Sequence, residues 1–245
     1  MIQKAAQINL QNISEYVSVL EIDNGVNNTL NIEGLDDLYS ILSTLADDDP
    51  KVILITGKGE RSFCMGYSSN CSDEANNSAV REARDLALSA VRMIRASRHY
   101  FLAGINGYAL DLGIELALAS DLSIASSRAK LGMPGLKYGM PPFTGVLTDT
   151  TLNMTGEAYS HLKSGNLIDA NQASNLGLVD NVVDYTNFRR EILNYCRSLN
   201  PEYLSNYKVV KRPEVPRVDS DRLFFQVYRV SCKSIMDLER FRNSL

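Results

Sequence analysis

Histidine is nearly absent from this chain and tryptophan is missing altogether: 245 residues hold two histidines, His99 and His161. Imidazole is the side chain most suited to proton transfer near neutral pH, so any chemistry here has to be built mostly from other groups. Cysteine is scarce as well. Cys64, Cys71, Cys196 and Cys232 form no Cys-x-x-Cys pair and no Cys/His spacing of a zinc site, so they read as free thiols and no metal is expected. No apolar run approaches the roughly 20 residues that span a bilayer, and the opening Met1-Ile2-Gln3-Lys4-Ala5-Ala6-Gln7 lacks the apolar core of a secretory signal. A soluble, cytoplasmic protein without a membrane partner is the expectation. Net positive charge is lacking too: 25 Lys and Arg stand against 29 Asp and Glu, a formal net charge of −4. That balance offers no general basic footprint for nucleic acid.

What is present is an ordinary globular composition, 44% hydrophobic and 22% charged, which excludes disordered and fibrous classes. The length suits one large α/β domain of roughly 200–250 residues. Tyr16 to Asp23 alternates apolar and polar residues and reads as a strand. Ile32 to Ala46 carries Ile32, Leu35, Leu38, Tyr39, Leu42 and Leu45 at helical spacing, with Asn31 as N-cap. The continuous run Val52 to Thr56 predicts a buried parallel strand. Ala79–Ala96 and Leu112–Ala119 read as helices; Tyr100–Ile105 and Leu122–Ala125 read as strands. Gly132 to Gly145 reads as a long irregular connection of the kind that lines a site. Beyond it the pattern is helical: 147–164, 171–176, 187–198 and from Asp221 onward. Alternating strands and helices predict an α/β fold with largely parallel pairing.

Two segments could carry chemistry. In Ala109-Leu110-Asp111-Leu112-Gly113-Ile114-Glu115 a glycine-containing turn enters a helix. The first N–H groups of a helix have no internal acceptor and suit an oxygen bearing negative charge. Leu112 supplies one such N–H. Glu115, one turn on, can place a carboxylate near the same space, the pairing that proton transfer beside a carbonyl requires. A glutamate in a helix is more often simply solvated or ion-paired. The second segment, Ile55 to Tyr67, runs a buried strand into a loop with glycines at 57, 59 and 66, which permits close backbone approach to a ligand or only a tight turn. It fits neither a Walker phosphate loop nor a dinucleotide fingerprint. The basic stretch Lys208, Lys211, Arg212 and Arg217 reads as a solvated helix face or a contact for an anionic group. His99 and His161 read as surface residues.

The two segments, about 45 residues apart, resemble the crotonase superfamily, the enoyl-CoA hydratase/isomerase family. Ile55–Ser69 (ITGKGERSFCMGYSS) is similar to the family's L-T-G-x-G-x-x-F-C-A-G-x-D. Ala103–Ala125 (AGINGYALDLGIELALASDLSIA) is similar to A-x-x-x-G-x-A-x-G-G-G-x-E-L-A-L-A-x-D-x-x-I-A. AKLGMP and LIDANQASNLGLVDNVV follow in register, so the resemblance runs from Tyr16 to Lys211.

The resemblance implies a spiral of repeated β-β-α units over residues 1–190 and a C-terminal helical region, 191–245, that trimerises, with trimers often pairing into hexamers. It implies a coenzyme A thioester as substrate, with no further cofactor. By position, the oxyanion donors are the N–H groups of Tyr67 and Leu112, and Glu115 is the acid/base. Met65, Gly66, Ser68, Ser69, Asn70, Gly113 and Pro134 fall along the acyl-CoA, and the Thr29-Leu30 turn flanks the nucleotide portion. Lys208 to Arg212 become candidates for the CoA phosphates.

The chain departs from the family at three places. A second glutamate is usual in F-G-x-P-E, where this chain has Leu131-Gly132-Met133-Pro134-Gly135. Losing a general acid or base costs on the order of 10²–10⁴-fold in rate, which argues against efficient hydration. Double-bond isomerisation needs only one proton carrier, which Glu115 can be if an apolar pocket raises its pKa. Asp111 and Leu112 stand where the family has glycines, and Asp111 is expected to point away or cap the helix. Tyr67 replaces a small residue, its ring narrowing the acyl pocket or supplying a phenol. Hydration, decarboxylation involving Lys137 and Tyr138, and acyl-CoA binding with weak catalysis are the alternative readings.

Overall fold

The structure, a computed structural model, describes residues 7–69, 76–145, 155–211 and 232–245. Its organising strand is the apolar run without polar alternation: β3 (Val52–Gly57) is buried at every position. A strand buried on both faces belongs inside a parallel sheet, and β3 pairs in parallel with β2 (Val17–Ile22) and β5 (Tyr100–Ile105). β7 (Leu122–Ser126) and β10 (Asn181–Val183) continue the parallel set, while β1 (Ile8–Asn12) closes the far edge antiparallel to β2. The order is β1-β2-β3-β5-β7-β10. A second sheet, β4-β6-β8-β9, consists of β4 (Ser62–Cys64), β6 (Tyr108–Leu110), β8 (Lys130–Gly132) and β9 (Ile168–Asp169). These strands are too short to carry a periodic signal, and the sequence pattern predicts none of them.

The chain alternates between the two sheets. β3 leads into β4, and α2 (Asn76–Ala96) returns to β5; β5 leads into β6, and α3 (Leu112–Ala119) returns to β7. This is the β-β-α spiral that the resemblance implies. α1 (Ile32–Leu45) buries Leu35, Leu38, Leu42 and Leu45, and the Asn31 side chain caps it by accepting from the Gly34 N–H at 2.9 Å. These helices pack with the large sheet into the main core. A smaller cluster, including Val19, Leu54, Leu102, Phe188 and Ile192, joins the same sheet to α6 (Phe188–Ser198). The remaining helices are α4 (Gly156–Lys163), α5 (Ala170–Asn175), α7 (Pro201–Lys211) and α8 (Cys232–Ser244). Among the described residues no helix is long and apolar enough to cross a membrane.

Two expectations are corrected. His99 is no surface residue: it is 0% exposed. Its Nε2 donates to the Leu45 carbonyl at 2.6 Å and its Nδ1 accepts from the Lys51 N–H at 3.1 Å. Nor is 132–145 irregular throughout, since Pro134–Tyr138 forms a 3-10 turn closed by Gly139 at φ +77°. The first half of the helix expected over 147–164, the start of the one expected from Asp221, and Asn70, Cys71, Arg212 and Arg217 lie outside the described residues.

Candidate active site

Strand register brings the two signature loops together. Cys64 of β4 pairs with Ala109 of β6 in parallel. Three residues beyond each partner the chain reaches Tyr67 and Leu112, which therefore leave neighbouring strands at equivalent places. Glycine makes the approach possible. A Cβ on Gly113 would lie 2.0 Å from the Cys64 carbonyl oxygen, and one on Gly66, at φ +96°, would lie 3.1 Å from the Asp111 Cβ. The Thr29-Leu30 turn joins the same ladder: the Leu30 N–H donates to Gly66 and the Ser68 N–H donates to Leu30, both at 2.9 Å. The Thr29 carbonyl accepts from the Asn24 amide at 2.6 Å. Met65 is buried and its N–H donates to Asn27 at 3.1 Å. The Ser69 N–H bonds to the carboxylate of Glu239 on α8. Pro134 is buried at the head of the 3-10 turn.

Leu112 is the first residue of α3, where an N–H has no intrahelical acceptor; its side chain packs in the core. Glu115 follows one turn later and is 1% exposed. Its Oε2 accepts from the Phe143 N–H, and its Oε1 accepts from both the N–H and the hydroxyl of Thr144, each at 3.0 Å. Burial pushes the carboxyl from its ordinary 4.5 to about 7; these bonds oppose the rise and Asp111 adds to it. A carboxylate offers about four lone-pair sites, so the loop leaves one for a proton in transit. The buried Tyr67 ring packs against Phe143, centroids 5.3 Å apart, which makes it a wall beside Glu115's loop.

Asp111 departs from expectation. Its side chain makes no capping bond, and its backbone sits at φ 50°, ψ −115°, a region that costs a non-glycine residue of order 1–3 kcal/mol. It points inward. Oδ1 accepts from the Gly135 N–H at 2.8 Å and Oδ2 accepts from Arg242 Nη2 at 3.0 Å. A Cβ on Gly135 would lie 2.7 Å from Oδ1. The missing side chain at 135 thus leaves the room that the Asp111 carboxylate occupies. Burial pushes the Asp111 carboxyl up, against Arg242 and the Gly135 N–H.

Phe143, Thr144 and Arg242 are the candidate-site residues that sequence reasoning does not name; they bond Glu115, Tyr67 and Asp111. The first two fall in a stretch expected to line a site, without a signal for either residue. Arg242, in Glu239-Arg240-Phe241-Arg242, looks like any solvated helix cation. The candidates for decarboxylation are engaged elsewhere: Lys137 Nζ bonds Asn166 at 2.6 Å, and the Tyr138 ring packs on Phe241 of α8 at 6.0 Å.

Stacked β-β-α turns with a buried glutamate one turn into α3 define a crotonase-type protein. The family model described as enoyl-CoA hydratase/isomerase matches residues 12–225, and the chain belongs to that family. It is 35% identical to a crotonyl-CoA hydratase of Syntrophomonas wolfei over 64% of this chain and 61% of that protein. It is 29% identical to a short-chain-enoyl-CoA hydratase of Clostridium acetobutylicum over 74% and 69%. The match thus spans about three fifths to two thirds of these relatives' length. Among solved structures, an enoyl-CoA hydratase of Thermoplasma volcanium is 26% identical with a TM-score of 0.71, covering 100% of this chain and 93% of that one. One of Bacillus anthracis, at 23% identity and TM-score 0.75 over 97% and 90%, shares the fold.

Proposed function

We propose that this chain acts on acyl-CoA thioesters and shifts a double bond by way of the thioester enolate. Glu115, ionised, takes a proton from the carbon beside the carbonyl of a 3-enoyl thioester. The C–H electron pair moves into the enolate, whose oxygen is held by the N–H groups of Tyr67 and Leu112. The protonated Glu115 then returns its proton at the far end of the conjugated system, leaving a 2-enoyl thioester. One carboxyl group serves both steps.

The observation that carries this reading is Glu115 itself: buried, held near neutrality at about 7, with its carboxylate accepting three bonds from one loop. The Asp111 carboxylate is paired with the Arg242 guanidinium, a cation partner that Glu115 lacks among the described residues, so this reading gives both proton transfers to Glu115. Hydration is the second reading, favoured by the names of the relatives. Incubation with 2-enoyl-, 3-enoyl- and malonyl-CoA separates them. Isomerisation predicts interconversion of the two enoyl thioesters without 3-hydroxyacyl product, and loss of at least about 10²-fold in rate in Glu115→Gln. Turnover unchanged by that substitution removes Glu115 from the mechanism. Binding without turnover of any panel member makes the chain an acyl-CoA-binding protein. The reading also places a homotrimer or hexamer in the cytoplasm; the buried free thiols Cys64 and Cys196 suit a reducing compartment.

A further inference from the structure

The end of α8 touches both halves of the proposed enolate-oxygen site at once. Arg242 is buried; its Nη1 donates to the Tyr67 carbonyl at 2.6 Å and its Nη2 to Asp111 Oδ2 at 3.0 Å. Tyr67 and Leu112, the residue after Asp111, carry the two N–H donors in the reading above, on which this inference rests. The helix end is itself anchored: the Asn27 amide donates to Asn243 at 2.7 Å, and Glu239 takes the Ser69 N–H. Gly66 leaves room for the guanidinium, since a Cβ there would lie 2.5 Å from Nη2.

A guanidinium is a rigid planar fork, so its two bonds share one fixed geometry. Paired with Asp111, Arg242 contributes little net charge to the thioester oxygen. It can act through placement. Oxyanion donors work only within roughly 2.7–3.1 Å of the developing charge, so the spacing between two loops decides how well they act together. We propose that Arg242 is a positioning residue through which the C-terminal helix sets the relative placement of the Tyr67 and Leu112 N–H groups.

The test uses a conjugated cinnamoyl-CoA thioester, whose absorption moves to longer wavelength when its carbonyl is polarised. Arg242→Lys keeps the charge but cannot bridge Tyr67 and Asp111 as a fork. It is expected to bind the probe with most of the red shift lost, and to lose about 10²-fold in kcat while KM changes by no more than about threefold. If that variant does not fold, Asp111→Asn with Arg242→Met removes both charges, leaves no buried ion unpaired, and is expected to show the same loss. A folded variant with the full red shift and kcat within about threefold of wild type overturns the proposal. Unfolding of both variants overturns it too, because Arg242 is then a stability residue. Failure of the underlying reading looks different: wild-type protein would bind the probe with no red shift.

Discussion

Glu115 puts two opposing demands on one buried carboxyl. As a base it has to be ionised, so kcat/KM for proton abstraction should rise about tenfold per pH unit up to about 7 and then level off. Stability runs the other way. A carboxyl whose folded pKa lies above its ordinary value holds its proton more tightly when folded. The stability this contributes is complete below pH 4.5 and is lost as the pH rises through about 7, a loss of about 3 kcal/mol once complete. Glu115→Gln should therefore flatten the decline in unfolding free energy between pH 4.5 and 8 by about that amount, measured by urea unfolding across the range. Identical declines in the two proteins would show that burial does not raise this pKa. The one-turn offset of Glu115 from Leu112 is a local fact visible in sequence, and the family resemblance turned it into a site expectation. Asp111 was not readable in this way. Its role depends on Gly135, 24 residues away, and on Arg242, 131 residues away, and no periodicity connects these positions.

Elements were readable where the local apolar signal was strong, and α7, eleven residues long, was not among the expected helices. α1 declares a helical period, α3, β3 and β5 are near-continuous apolar runs, and all four lie within a residue or so of the expected bounds. The second sheet, with strands of two or three residues, was visible only through the family resemblance. The loop at 143–144 that bonds Glu115 was visible only as part of a glycine- and proline-rich connection expected to line a site. His99 marks another boundary between local and tertiary information: its neighbours in sequence are polar, yet it joins the end of α1 to the turn before β3. Its ring bonds two backbone groups, the Lys51 N–H and the Leu45 carbonyl, which also accepts from the Asp48 N–H at 3.1 Å. His99→Leu keeps the volume and removes both bonds; the Leu45 carbonyl keeps its Asp48 partner, so only the Lys51 N–H is stranded, at a cost of about 1–3 kcal/mol. A loss of about 1–3 kcal/mol in unfolding free energy is expected, with the pH profile of turnover unchanged because the ring's two backbone bonds lie between α1 and β3. A shifted pH profile would bring His99 into the chemistry and overturn this assignment.

At the scale of the whole molecule, the proposed site and the proposed assembly make a testable separation. The proposed donors, the acid/base and the clasp at Arg242 all come from one chain, whose own α8 reaches Tyr67 and Asp111. The proposed assembly has other surfaces to draw on. Tyr203 on α7 is 69% exposed, and Tyr195 on α6 and Tyr16 before β2 are exposed as well. Tyrosine is enriched in the cores of protein interfaces and charge is depleted there. If the trimer or hexamer forms through this C-terminal face, Tyr203→Glu places a carboxylate where a partner copy would have to desolvate it. Light scattering should then show the mass falling from three or six chains toward one, and thermal stability should become independent of protein concentration. The dissociated variant should still convert 3-enoyl to 2-enoyl thioester, with the same dependence on Glu115. An unchanged mass would move the interface away from Tyr203. Dissociation with complete loss of turnover would mean that a second chain completes the site, and would contradict a clasp made within one chain.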